Sequence, residues 1–244
     1  MKFIKKHIKL IILLLVIISI FIIFNLTNKN NINYTSIGDG FALGKNSYGE
    51  INYGYSDYIR DYLKEEDKLN FYTKSFSKEN ISISKLTADI ITNKKIKIKN
   101  DEINIKQTLR ETSILTISIG INDLIYRVNI EDNLTDEKIN NIVNDVYKEF
   151  NELIKEIRKY YPHKIYVIGY YTENINNYYL KLAINKLNEK QQTNKEIIYI
   201  DTKNIFENNK SLLSNPKSIY PNRTGYKEIS NEIIAKITKK LEKV

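Results

Sequence analysis

Cysteine is absent from the 244 residues, which removes disulfides, thiolate metal sites and the cysteine of a lipoprotein signal. Histidine is nearly absent: only His7 and His163 are available to chemistry that needs an imidazole base. Tryptophan is missing and glycine occurs eight times, whereas Ile, Asn and Lys abound and tyrosine reaches 19. This is the bias of AT-rich coding, so the asparagine run at residues 28–31 and triplets such as Asn33-Tyr34-Thr35 carry little information. Acidic residues are missing from the first thirty positions, where Lys2, Lys5, Lys6, Lys9 and Lys29 supply five of the net +9 charges. The remaining excess of four is spread over the rest of the chain. A nucleic-acid binder concentrates a basic stripe with readout residues; none is present, and no nucleic-acid partner is expected.

What the leader does have is one long apolar run. Residues 10–24 are apolar throughout except Ser19, and residues 8–26 extend the run with Lys9 and Asn25 near its ends. That approaches the roughly 20 residues needed to span a bilayer, with Lys9 able to snorkel. The basic cluster precedes the run, so the positive-inside tendency predicts a cytoplasmic N-terminus and an exported domain. No small-x-small cleavage site follows; Phe24-Asn25-Leu26-Thr27 is a poor one. The expectation is an uncleaved signal-anchor over residues 1–26, a single-pass cell-membrane location, a polar stalk over 27–33 and an extracytoplasmic domain over 34–244. About 200 residues suffice for one domain with a substantial core.

Within that domain, buried β-branched runs alternate with helical periodicity. Strands are predicted at residues 34–38, 68–75, 113–120, 164–169 and 196–201. Helices are predicted at 55–65, 83–92, 136–160 (capped by Thr135 or Asp136), 176–191 and from 222 onward. Residues 94–104 form a charged insert with no assignment. This alternation implies a three-layer α/β/α sandwich around a parallel, flavodoxin-like sheet, preceded by one transmembrane helix. Ligands of such sheets sit outside the carboxyl ends of the strands. Those exits are Gly38-Asp39-Gly40, Gly120-Ile121-Asn122-Asp123, Gly169-Tyr170-Tyr171 and Asp201-Thr202, with residues 218–226 folding back to the same rim.

Three segments together resemble the SGNH/GDSL hydrolases, a family of esterases and lipases. Gly38-Asp39-Gly40-Phe41-Ala42-Leu43-Gly44 resembles the family's first block, Gly-Asp-Ser with a glycine a few residues on. Gly120-Ile121-Asn122-Asp123 matches its Gly-x-Asn-Asp block in full. Residues 217–226 keep the Pro, Asn, Gly and Tyr of its final block, Asp-x-x-His-Pro-Asn-x-x-Gly-Tyr, as Pro221, Asn222, Gly225 and Tyr226. The resemblance covers residues 34–240 or so.

It also implies a serine nucleophile, a histidine base and an orienting aspartate, and the aligned positions here hold Gly40, Tyr220 and Lys217. Glycine offers no nucleophile, and tyrosine, with an ordinary pKa near 10, is a poor base at neutral pH. His7 falls in the leader and His163 at the opposite end of the sheet. The family's second block, which contributes a glycine amide to the oxyanion hole, aligns with residues 75–84, where no glycine occurs. What remains implied is a partial anion or carbonyl cradle from Asp39, Gly40, Gly120 and Asn122. No metal and no cofactor are called for. Each residue also has a plainer reading: Gly38-Asp39-Gly40 as a tight turn, Asn122-Asp123 as a loop clamp, Asn222 as a helix cap. The tyrosines at 48, 53, 55, 170, 171 and 220 read as core packing before they read as a sugar-stacking surface. Ser36, Ser47, Ser218 and Thr224 are the nearest alternative hydroxyls. The functional expectation is a pseudoenzyme that binds an envelope glycan, lipid or protein. The alternatives are a divergent ester hydrolase with a rearranged site and a membrane-tethered scaffold.

Overall fold

The computed structural model describes residues 14–19, 32–98, 101–207 and 209–241. Five parallel strands form the sheet: β1 (Ile32–Gly38), β2 (Leu69–Thr73), β5 (Ile114–Ser118), β6 (Ile165–Ile168) and β7 (Ile197–Ile200), in the order β2-β1-β5-β6-β7. The order reverses between β1 and β5, so these neighbours mark the crevice where a doubly wound sheet holds ligands. Every residue of β5 is buried, as the unbroken apolar and β-branched run Ile-Leu-Thr-Ile-Ser requires of a strand covered on both faces.

The helices are α1 (Gly40–Leu43), α2 (Tyr55–Glu65), α3 (Ile83–Ile91), α4 (Ile105–Glu111), α5 (Ile121–Ile130), α6 (Asp136–Arg158), α7 (Tyr178–Gln192), α8 (Lys203–Glu207) and α9 (Arg223–Leu241). One layer packs α2 against α9; the other packs α6 against α3, α5 and α7. Helix α6 buries Ile139, Val143, Val146, Phe150, Leu153 and Ile157, a spacing of three and four that lays one apolar stripe on the sheet. Thr135 caps its start by accepting from the Lys138 amide at 3.2 Å. The three-layer α/β/α architecture is therefore present. Expected strand and helix positions agree to within a few residues, β1 beginning at Ile32 inside the expected stalk.

Three elements differ from expectation. Residues 95–104, the unassigned insert, contain an antiparallel hairpin of β3 (Lys95–Ile98) and β4 (Asp101–Asn104). Its alternation of Lys and Ile is that of a strand with one solvated face. Helix α4 follows at once, capped by Asn104. The segment after Gly120, for which no element was predicted, is helix α5. Of the leader, residues 14–19 are helical with exposed side chains, and the rest of the expected spanning segment lies outside the described residues. Among the described residues, no helix is long and apolar enough to cross a membrane.

Candidate functional site

The first functional turn follows from a close strand approach. Gly38 ends β1 at φ +136°, and a Cβ there would fall 1.9 Å from the Ser118 carbonyl oxygen of β5. Only glycine brings the two strand ends this near in that conformation. The Asp39 amide then donates to that same carbonyl at 2.9 Å. Asp39 caps α1: its Oδ1 accepts from the Phe41 amide at 3.0 Å and from the Ser118 hydroxyl at 2.8 Å. Its Oδ2 accepts from the Tyr170 phenol at 2.5 Å. The carboxyl is fully buried, and burial pushes its pKa up to about 6 against the opposing pull of these hydrogen bonds. Asp39 is therefore a structural carboxylate, inaccessible to a substrate.

Gly40 and Tyr220 meet. A Cβ built on Gly40 would lie 2.5 Å from the Tyr220 hydroxyl and 2.8 Å from Cε1 and Cζ of its ring. The Tyr220 ring thus fills the space a serine side chain would need. Tyr220 packs tilted against Phe41 at 5.1 Å between centroids, and Lys45 Nζ lies 5.5 Å from its ring centre while pairing with Glu79. Burial, then the negative charges of Asp39 and Glu79, raise the Tyr220 pKa above its ordinary value. The field at the phenol opposes formation of a phenolate, the reverse of what an activated nucleophile or base requires.

Lys217 does not join them. Its side chain is exposed, and its amide donates to Asn215 Oδ1. Asn222 caps α9 by accepting from the Gly225 amide at 3.0 Å, so Pro221 and Asn222 serve the helix start.

Asn122 and Asp123, in the first turn of α5, hold the segment aligned with the family's second block. Asn122 Nδ2 donates to the Ile81 carbonyl at 3.1 Å, and both Asp123 oxygens accept from the Ile83 amide at 3.2 Å. Burial raises the Asp123 pKa to about 6. Gly120 caps α5 at φ +114°. Asp39 and Gly40 therefore stand at the end of β1, and Gly120 and Asn122 at the adjoining end of β5. In this arrangement the Asn122 amide is engaged by the neighbouring loop.

The alternative hydroxyls do not form a catalytic pair. Ser36 is buried and bonds the Tyr55 phenol; Ser47 is buried; Ser218 Oγ accepts from the Tyr220 amide; Thr224 is exposed on α9. Ser118 is buried against Asp39. His163 precedes β6, at the far end of the sheet from these groups, with its ring 5.5 Å from that of Tyr161; His7 lies outside the described residues.

Tyrosines account for the site's interior. Phe41 contacts the rings of Tyr170, Tyr171, Tyr220 and Tyr226. Full burial of such a side chain stabilises the fold by roughly 1.5–3 kcal/mol. Tyr55, Tyr170, Tyr171 and Tyr220 are buried and Tyr48 is exposed, so these tyrosines form no common surface. Sequence reasoning overlooked Tyr170 as the partner of Asp39 and Lys45–Glu79 as neighbours of Tyr220. The one signal for the first was the position of Tyr170 just past a strand exit.

With strand order, Gly-Asp turn and Gly-x-Asn-Asp helix start in place, comparison with known proteins is decisive. The model of the GDSL-like lipase/acylhydrolase family matches residues 34–233. The chain belongs to that family. Similar solved structures include the lipase Lip_vut3 from a goat rumen metagenome, at 18% identity and TM-score 0.68 over 84% of this chain and 97% of that one. A catalytic mutant of the acetylxylan esterase Axe2 from Geobacillus stearothermophilus aligns at 15% identity and TM-score 0.60, over 84% of this chain and 93% of that one. A member of the lipolytic G-D-S-L family from Veillonella parvula gives 14% and 0.58, over 84% and 97%. At these identities the likeness is one of fold. No relative was found among curated protein sequences.

Proposed function

We propose that this GDSL-family domain does not hydrolyse esters and works by binding, as an extracytoplasmic module held at the cell membrane by residues 1–26. One observation carries the first half: the Tyr220 hydroxyl stands 2.5 Å from the position a serine Cβ would take at Gly40. The nucleophile is missing and its space is filled. Among the described residues nothing nearby replaces the base, because Tyr220 is electrostatically disfavoured as a phenolate and Lys217 is exposed. The membrane location is supported by the lysine-flanked apolar run alone. An envelope glycan, lipid or protein is the class of partner such a location offers.

The test uses the full chain against a fluorophosphonate serine-hydrolase probe and short-chain nitrophenyl esters. Neither labelling nor turnover is expected from the natural sequence. The combined variant Gly40→Ser, Lys217→Asp, Tyr220→His is expected to gain probe labelling. Labelling or turnover of the natural chain that one Ser or Thr substitution abolishes overturns the reading in favour of a divergent esterase. Protease accessibility of the domain on intact cells tests the location.

A further inference from the structure

A concavity bordered by the described residues lies away from Gly40. It is a groove of about 610 Å³ between the start of α3, the outer face of α5 and Glu149 of α6. Helix α5 explains its character. Ile121, Leu124 and Val128 turn inward to the core, which commits one face. On the opposite face Asn122, Tyr126 and Ile130 recur every four residues and so stand in a row. Tyr126 and Ile130 are 65% and 60% exposed, an apolar pair on what would otherwise be the helix's polar side. A row of this kind, set in a concavity and rimmed by polar groups, is a feature of ligand sites.

The rim narrows the ligand. The charged side chains lining the groove are Asp123, Arg127 and Glu149. Arg127 is paired with Glu149, so the groove's one cation is already neutralised. An anionic headgroup or phosphate finds no free positive charge there. Asn80, Ser84 and Asn129 add amides and a hydroxyl around the exposed ring. An acyl chain covers those polar groups without replacing the hydrogen bonds that water gives them, which costs free energy. A ligand that satisfies both halves is uncharged, rich in hydroxyls at its edge and apolar on its face. A pyranose ring has that chemistry.

We infer that this groove is a binding site for a neutral saccharide, with a sugar ring stacked on Tyr126 and its hydroxyls met by the surrounding amides and the Arg127–Glu149 pair. The site rests on the proposal above only in taking ligand capture as the domain's task. It is distinct from the Gly40 position, and neither Gly40 nor Tyr220 lines it.

The experiment is calorimetric or NMR titration of the full chain with three probes: cellotriose, xylotriose and N,N′,N″-triacetylchitotriose. Saturable binding of at least one is expected. Tyr126→Ala weakens it by about tenfold or more, in the range of a lost stacking anchor. Tyr126→Phe keeps most of the affinity, because the ring is retained. Tyr48→Ala, at an exposed tyrosine outside the groove, leaves binding unchanged. Tyr126 is exposed, so its truncation leaves the core intact. Absence of saturable binding to all three sugars, or binding undiminished in Tyr126→Ala, overturns the inference. Ester turnover by the natural chain overturns the non-hydrolytic reading and leaves the groove standing; the two failures are read in separate assays.

Discussion

The Tyr170 phenol, carried just past β6, reaches across β5 to donate to the Asp39 carboxylate at the end of β1. Three strands of the sheet are thereby joined at their carboxyl ends through one buried acid, which also accepts from Ser118 on β5. The motif that resembles a nucleophile turn is thereby tied to two further strands.

That junction has a pH signature. Asp39 is raised to about 6 in the folded chain against about 3.9 unfolded, so the folded state binds its proton more tightly. Its penalty is absent below pH 4, grows as pH rises and is complete above pH 6, about 3 kcal/mol in all. Asp39→Asn abolishes this component. Urea unfolding from pH 4 to pH 7 is expected to show the stability of the natural chain falling relative to Asp39→Asn as pH rises. A constant difference between the two contradicts the assignment.

Gly40 and Tyr220 are expected to couple. Gly40→Ser alone overpacks the site against the tyrosine ring and costs about 1–3 kcal/mol. With Tyr220→His also in place the cost is smaller, because the obstructing hydroxyl is gone. A double-mutant cycle read by chemical denaturation measures the coupling, expected at about 0.5–3 kcal/mol. Simple additivity shows that the two side chains do not compete for one space.

Gly38→Ala is expected to be the most damaging single change in the motif. Its added Cβ meets backbone, the Ser118 carbonyl, at a φ that alanine rarely adopts. Strain and clash together exceed roughly 3 kcal/mol. Loss of soluble expression or a large drop in the thermal midpoint checks this, with Gly49→Ala, which has only a lysine methylene nearby, as the positive-φ comparison.

Asp123 anchors the start of α3. Asp123→Ala leaves the Ile83 amide without its carboxylate and is expected to cost about 1–3 kcal/mol. Hydrogen exchange at the Ile83 amide accelerates, whereas the amides of β5 stay protected. Unchanged exchange at Ile83 rules out the clamp.

The sheet was legible because its strands are continuous apolar runs with glycine or aspartate at their ends, and period separates them from the helices. The hairpin at residues 95–104 was not, since lysine and isoleucine alternate over only a few positions amid charge. Helix α5 was hidden by its Gly-x-Asn-Asp start, which reads equally well as a loop. The replaced positions Gly40, Lys217 and Tyr220 were visible in the sequence, and so was the lack of a histidine at these strand ends. Their spatial relation was not: that Tyr220 stands on Gly40 while Lys217 points to solvent depends on the path of residues 213–220. That path is set by bonds such as Asn174 Nδ2 to the Asn215 and Ser218 carbonyls. Nor does spacing foretell that Tyr126 and Ile130 face a cavity, because exposed tyrosines are common in so tyrosine-rich a chain.

The filled space over Gly40 also bears on any attempt to build a serine–histidine–aspartate triad here. A serine placed at position 40 meets the tyrosine ring and is expected to lose stability before any activity is gained. A histidine placed at position 220 has no hydroxyl to serve. Neither change helps alone, and an aspartate at 217 has no use until both are made.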